Sequence, residues 1–457
     1  MQINLNKNML KQSLKIIHFN KFMVKIMRVL LVGAGGRESA IAETLSRDSE
    51  LYVVAKHLNP GIKRIAKEYG LAKETDVQKV LDFALKWRVD LAFIGPEAPL
   101  EKGIVNVLEE NGIPTVGPSK EAAQLETNKA FARALMEKYK ISGRKLFKVF
   151  NNVAEMKAGI DEFGKPVVVK PLGLTGGKGV KVVGYQLKDN EEAKEYAKAL
   201  IEKDGKVLIE ERTDGVEFTF QVFTDGKKVI PMPLAQDYPH AYEGDVGPIT
   251  GGMGSYSCED HLLPFVPRED YHKALETLKK TVEAMYKEGT PYKGILYGQF
   301  MLANDEPKII EFNARFGDPE AMNVLPILRT SLVEIGEGII DGNLKKAEFE
   351  KKATVVKYIA PKGYPTDPIK GVKVQIREDK IREEGAKVYY ASVDENFTML
   401  GSRALAIVGI ADSIEEAEKI ASAGIKHVKG EIFYRADVGT KESIAKRIEL
   451  MKAIRGE

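Results

Sequence analysis

Cysteine is almost absent. Cys258 stands alone among 457 residues, so no disulfide can form within the chain, and it reads as a buried or incidental thiol in a protein of the reducing cytoplasm. Long apolar runs are missing too: no stretch approaches the ~20 residues that cross a bilayer. Nor is there an excess of one charge. With 69 basic and 66 acidic residues the net charge is +3, which argues against nucleic acid or a membrane surface as partner, since both select clustered basic charge. A third absence is local. Residues 1–26 hold Lys7, Lys11, Lys15, Lys21 and Lys25 but no acid, no arginine and only Ser13. An organellar leader is rich in Arg and Ser. This segment therefore reads as an extension outside the fold, with Met27 as the natural first residue.

Hydrophobic residues make up 44% of the chain and charged residues 30%, the proportions of a globular protein. The length implies about three domains. Residues 28–33 (RVLLVG) are a short apolar run closed by glycine, the pattern of a buried parallel strand. A helix is predicted at 37–47, a strand at 51–55, a helix at 77–87, a strand at 91–95, a helix at 101–111 and a strand at 114–116. This alternation predicts an open parallel sheet whose ligands sit beyond the carboxyl ends of its strands. Further on, a helix is expected at 128–140, a strand–glycine loop–strand hairpin at 166–184, a helix at 190–203, and strands at 206–211 and 216–223. A long loop at 235–257 precedes a helix at 269–287 and strands at 295–302 and 307–313. A separate module opens with a strand at 353–360 and continues with further strands and one helix near 414–428. The expected fold class is multidomain α/β and α+β. Its expected divisions are the extension 1–26, an N-terminal α/β domain 27–125, a central domain 126–345 and a small C-terminal α+β domain 346–457.

Four clusters carry chemistry. GAGGRE (Gly33 to Glu38) lies between a strand and a helix, where backbone amides and the helix N-terminus can face an anion. A dinucleotide site is disfavoured, because Glu38 replaces the third fingerprint glycine and the second strand ends at Lys56 instead of an acid. In IGPEAPL (Ile94 to Leu100), Glu97 can accept hydrogen bonds from sugar hydroxyls. Lys170 closes a strand before GLTGGKG (Gly173 to Gly179); amides of such a loop and Lys178 can meet a triphosphate. It is not a P-loop, because no Ser or Thr follows the lysine. Glu210, Glu211 and Glu217 follow, where acids can hold an adenine amino group and ribose hydroxyls. In EFNARFGDPE (Glu311 to Glu320), alternation puts Glu311, Asn313 and Arg315 on one face of a strand. Gln299 on the preceding strand can join them. Such oxygen ligands suit Mg²⁺ or Mn²⁺, and an arginine beyond them can stabilise a transferring phosphoryl group.

With these clusters in order, the chain resembles the phosphoribosylamine–glycine ligases, also called glycinamide ribonucleotide synthetases, of the ATP-grasp superfamily. The resemblance runs from Met27 to about residue 450 and includes GPSKEAAQLETNKAFAR and TGGMGSYS. It departs from the family at PLGLTGGKGV, where ADGLAAGKGV is usual, at Tyr238 to Gly244, and at GSRALAIVG. It implies a central ATP-grasp fold with ATP held by Lys129, Lys170, Gly176, Gly177, Lys178, Gly179, Glu210, Glu211 and Glu217. Metal falls to Gln299, Glu311 and Asn313, and catalysis to Arg315 and Lys178. Substrate groups fall to Gly35, Gly36, Glu97, Asp237, Gly252, Met253, Arg315 and Asp318.

The implied reaction joins glycine to 5-phosphoribosylamine in purine synthesis, using ATP and passing through glycyl phosphate. The implied protein is a monomer or weak homodimer with small-molecule substrates only. A sister ATP-grasp ligase acting on another small carboxylate shares the ATP core but not GAGGRE, IGPEAPL and TGGMG. A nicotinamide dehydrogenase explains the first domain alone. A chain beginning at Met27 is expected to keep full activity and thermal stability, as measured by turnover and melting temperature beside the full chain.

Overall fold

Val29 to Val32 are apolar on both sides of the pleat because both faces of their sheet are covered. The computed structural model describes residues 26–173 and 179–457. In it β1 (Arg28–Val32), β2 (Glu50–Ala55), β3 (Glu68–Leu71), β4 (Leu91–Ile94) and β5 (Thr115–Val116) form a parallel sheet ordered β3-β2-β1-β4-β5. The strand order reverses between β1 and β4, so their carboxyl ends flank a crevice. Helix α1 (Gly36–Leu45) begins there. The helix expected at 101–111 is two, Glu97–Glu101 and Ile104–Glu110, parted by Gly103 at φ 78°. The edge strand β3 and the short helix Pro60–Ile65 before it were not anticipated; β3 is mostly exposed and carries little periodicity.

Helix α2 (Lys129–Lys138) is capped by the Asn128 side chain. Beyond it β6 (Phe147–Phe150), β7 (Val167–Lys170), β8 (Lys181–Val182) and β9 (Val207–Glu211) make an antiparallel sheet ordered β6-β9-β7-β8. Helices α3 (Val153–Phe163) and α4 (Asn190–Asp204) bury their apolar residues against it. The expected hairpin is present as the β7–β8 pair; Gly176, Gly177 and Lys178 in its loop lie outside the described residues.

The chain continues through β10 (Val216–Asp225) and β11 (Val229–Pro231). Four short strands follow: β12 (Gln236–Asp237), β13 (His240–Tyr242), β14 (Val246–Ile249) and β15 (Gly254–Ser257). Helix α5 (Arg268–Lys287) then leads to β16 (Lys293–Leu302) and β17 (Pro307–Asn313). Strands β11-β10-β16-β17 form a second antiparallel sheet. The stretch 235–257 is therefore not a plain loop. β13 and β14 pair with each other and β12 pairs with β15, while β15 takes its other partner from far along the chain, which local pattern does not register.

That partner is β18 (Ala353–Pro361). With β19 (Gln375–Ile376), β20 (Lys387–Tyr390), β21 (Leu405–Ala411), β22 (Val428–Lys429) and β23 (Ile432–Tyr434) it completes the strands. The largest sheet runs β12-β15-β18-β21-β20, with β23 also on β18, so it draws on chain from both sides of residue 346. This region holds not one helix but three: Glu378–Glu383, α6 (Ile414–Ile425) and α7 (Lys441–Arg455). The signal for α7 was available, since Ile444, Ile448, Met451 and Ile454 recur at helical spacing among charged residues. Cys258 is buried, and burial pushes its thiol up to about 12, so it is no nucleophile. Among the described residues no helix is long and apolar enough to cross a membrane.

Candidate active site

The turn after β17 is where these sheets meet. Asn313 donates to Glu311 over 3.4 Å. Gln299 lies in register opposite Glu311 on β16, and its side-chain amide donates to Glu217 on β10 at 2.7 Å. β17 ends at Asn313, so Arg315 stands in the turn beyond the strand, not on its face. There its guanidinium reaches two acids from earlier parts of the chain: Nε lies 3.4 Å from Glu97, and Nη2 lies 3.3 Å from Glu126. Glu126 also accepts the Ala314 amide at 2.6 Å. Burial would raise Glu97, but Arg315 and Arg37 hold its carboxyl at about 2. Burial prevails at Glu126 and pushes it up to about 7 despite Arg315.

On one side of this turn lie the residues expected around a nucleotide. Lys170 Nζ sits 2.8 Å from Glu210 and donates to the Ile310 carbonyl at 3.2 Å. Arg133 Nε donates to Glu210 at 2.5 Å, and Lys145 lies 4.0 Å away. Glu210 is 0% exposed, and Arg133, Lys170 and Lys145 hold it well below the usual carboxylate range against burial. It is buried and anchors Lys170. Glu211 accepts the Leu146 amide at 2.9 Å and pairs with Lys165. Lys129 donates to the Gly173 carbonyl at 2.9 Å, and the Gly179 carbonyl accepts Tyr196 at 2.9 Å. Glu217, expected beside Glu210 and Glu211, lies instead with Gln299 and Glu311.

On the other side lie the residues expected around the substrates. The Gly35 amide is not open to a phosphate here, because Glu38, at the third position of α1, folds back to accept it at 2.6 Å. The acid in place of the fingerprint glycine thus fills the anion seat itself, and Arg37 holds its other oxygen at 2.6 Å. Gly36 is needed for close approach: a Cβ there would lie 2.0 Å from the Tyr358 hydroxyl. That hydroxyl donates to Asp318 at 2.6 Å. Arg403 stacks 4.3 Å over the Tyr358 ring, lies 3.2 Å from Asp318, and donates to the carbonyls of Gly251 and Gly252 at 2.7 Å each. Gly252 has φ 102°, and Met253 is fully buried. Asp237 has one buried oxygen without a hydrogen-bond partner; burial, Glu320 and Glu217 push its carboxyl well up. No site role was read for Glu126, Glu38, Tyr358 or Arg403 in the sequence: Glu38 and Glu126 stand within GAGGRE and GPSKEAAQLETNKAFAR, but only the folded chain shows what they bond.

Glu217, Gln299, Glu311 and Asn313 suit a divalent cation in their chemistry. They are hard oxygen donors, and Glu217 is pushed up by burial and then by Glu311, an unfavourable proximity that a cation would relieve. Among the described residues no group of three acids, histidines or cysteines could hold a metal alone. Mg²⁺ needs only one or two carboxylates when phosphates complete its shell.

A parallel-sheet domain followed by two antiparallel sheets that close on a basic, acid-lined cleft is the architecture of an ATP-grasp enzyme. Profiles of the phosphoribosylglycinamide synthetase N domain, ATP-grasp (A) domain and C domain match residues 27–126, 127–321 and 354–441. The chain belongs to the phosphoribosylglycinamide synthetase family. It is 83% identical to the phosphoribosylamine–glycine ligase of Thermococcus kodakarensis, over 94% of this chain and 100% of that protein. With the ligase of that name from Pyrococcus furiosus it shares 74% identity, over 94% of this chain and 99% of that one. The crystal structure of phosphoribosylamine–glycine ligase from Thermotoga maritima superposes with a TM-score of 0.77 at 28% identity, covering 90% of this chain and 100% of that one.

Glu97 yields a pH test. Its folded pKa of about 2 lies below the ordinary 4.5, so its stabilisation is complete above pH 4.5 and is lost as the pH falls through 2. Glu97→Gln is expected to cost roughly 1 kcal/mol at neutral pH, allowing for solvent screening. Thermal melts at stepped pH should show the gap to wild type closing only on acidification.

Proposed function

We propose that this chain joins the carboxyl group of glycine to the amino group of 5-phosphoribosylamine, yielding glycinamide ribonucleotide, ADP and phosphate, in cytoplasmic de novo purine biosynthesis. Family membership and the ligases it matches support this reading. The single observation that carries it is the turn Glu311 to Asp318. In one short segment it brings the Lys170 side of the cleft, through Ile310, against the Glu97 and Tyr358 side.

Lys129 and Lys170 supply ammonium groups for the phosphates of ATP, together with the loop Gly176 to Gly179 that carries Lys178. Glu210, 2.8 Å from Nζ, aims Lys170. Mg²⁺ or Mn²⁺, held by Gln299, Glu311 and Asn313, supplies charge neutralisation on those phosphates. A glycine carboxylate oxygen attacks the γ-phosphorus, the bond to the β-phosphate oxygen breaks, and ADP leaves. Arg315 faces the negative charge that spreads over the transferring group. The phosphoribosylamine nitrogen then attacks the carbonyl carbon of glycyl phosphate, loses a proton, and expels phosphate bearing an oxygen from glycine. Glu97 meets the ribose hydroxyls, and Asp237, with its unpartnered oxygen, accepts from an amine.

Phosphate release from ATP is expected to require glycine and phosphoribosylamine together. Glycine labelled with oxygen-18 in its carboxylate should pass one label to inorganic phosphate, with ADP as nucleotide product. Label in AMP, or AMP with pyrophosphate, would reverse the reading. Glu311→Gln keeps the shape but removes a charge, and is expected to slow turnover on the order of a thousandfold in saturating magnesium. Circular dichroism of the variant establishes that the fold is kept.

A further inference from the structure

Arg435 is among the largest fully buried side chains of the described residues, yet the proposed reaction makes no use of it. It lies just past β23. Nε and Nη2 clamp Asp437 at 2.8 and 2.5 Å, while Nη1 reaches Asp245 at 2.9 Å and the His240 carbonyl at 3.2 Å. The guanidinium also stacks 4.9 Å from the centre of the Tyr238 ring. Burying an arginine is costly unless its donors are met, and here half of its partners come from the β13–β14 hairpin. More contacts converge on the same hairpin from the C-terminal region. Arg447 on α7 pairs with the other oxygen of Asp245. The Gly244 amide donates to Asp437 at 3.0 Å, and the Ala436 amide to Glu243 at 3.0 Å. Tyr238, whose hydroxyl lies 2.8 Å from that of Ser443, is buried at the root of the hairpin.

Both ends of this hairpin run into the proposed substrate pocket. Asp237 immediately precedes Tyr238. At the other end the chain passes through Gly251 and Gly252 to Met253, whose amide donates to the Tyr238 carbonyl at 2.7 Å. We infer that Arg435, Asp437 and Arg447 form a clasp that positions the hairpin, and through Tyr238 sets the pose of Asp237 and of the Gly251–Met253 turn for the amine-bearing substrates. These are positioning residues; none of them touches the proposed reacting atoms. The inference rests on the proposed function for the identity of those substrates.

Asp245 is the residue to change, since removing Arg435 would leave both Asp437 and Asp245 without their shared cation. It has φ 59°, which Asn tolerates as well as Asp, so Asp245→Asn keeps the turn and removes the charge from both arginines. The Michaelis constant for glycine or for phosphoribosylamine is expected to rise about tenfold, with that for ATP within about twofold, the pattern of a lost binding contact confined to one side of the cleft. Arg447→Gln should act in the same direction, and Arg447→Lys should restore part of the loss. Hydrogen exchange at residues 240–250 should quicken in Asp245→Asn and be unchanged in the glycine loop. Unaltered constants for both amine substrates, with or without faster exchange, would overturn the clasp as a positioning device, and so would an equal loss of ATP affinity. Wild type measured alongside separates the two readings. If it releases phosphate only with both substrates and the variant matches it, the clasp alone fails; if wild type lacks that dependence, the proposed reaction fails and the clasp's role with it.

Discussion

Arg315 is the charge on which the arrangement of the cleft depends. Glu97 reaches it from the end of the parallel sheet and Glu126 from the segment before α2, while the guanidinium itself follows the last antiparallel strand. Three stretches of chain far apart in sequence are thereby held to one point. Removing one partner of a buried pair costs far more than the pair contributes, because the remaining charge is left without its solvent or its counter-ion. Geometry at this turn is therefore under-determined by any single sheet and fixed by all three.

The cleft is also unbalanced by design. Glu217, Asp237 and Glu320 are all pushed up by burial, and neighbouring acids push Glu217 and Asp237 further. The cations nearby are already engaged: Lys170 and Arg133 with Glu210, and Arg403 with Asp318. A site of this kind favours incoming positive charge, whether a metal ion or an ammonium group, in a place where low dielectric magnifies it. Perturbed carboxyls gathered in one cleft are the electrostatic mark of a working site.

Much of this was legible beforehand because it is local. Alternation along 307–313 announced a strand with Glu311 and Asn313 facing the same way, and the RVLLVG run announced a strand covered on both sides. What escaped was non-local. Glu126 and Arg403 stand in segments the resemblance singled out, but their partners Arg315, Asp318 and Gly251 lie on other parts of the chain, out of reach of local pattern. Glu38 was noticed for the dinucleotide site it excludes; that it would occupy the amide it displaced required the turn of α1 to be seen. Glu210 was read as an acid at a strand end; its burial against Arg133 and Lys170 could not be read from local sequence. Strands β12 and β15 were invisible because they are too short to show a period of two, and β15 is anchored by β18 from far along the chain.

Those two strands have a consequence for how the chain comes to be folded. β15, made near the middle of synthesis with its partner β12, has its other sheet neighbour in β18, and β18 in turn is flanked by β21 and β23 from near the carboxyl terminus. Pairing so distant in sequence is slow to form, because the loop must close before any contact rewards it. On a ribosome the parallel-sheet domain and the β6–β9 sheet have all their strands early, but β15 waits with an unpaired edge for about a hundred residues of further chain. The last part of the protein to be made is thus the part that completes the middle.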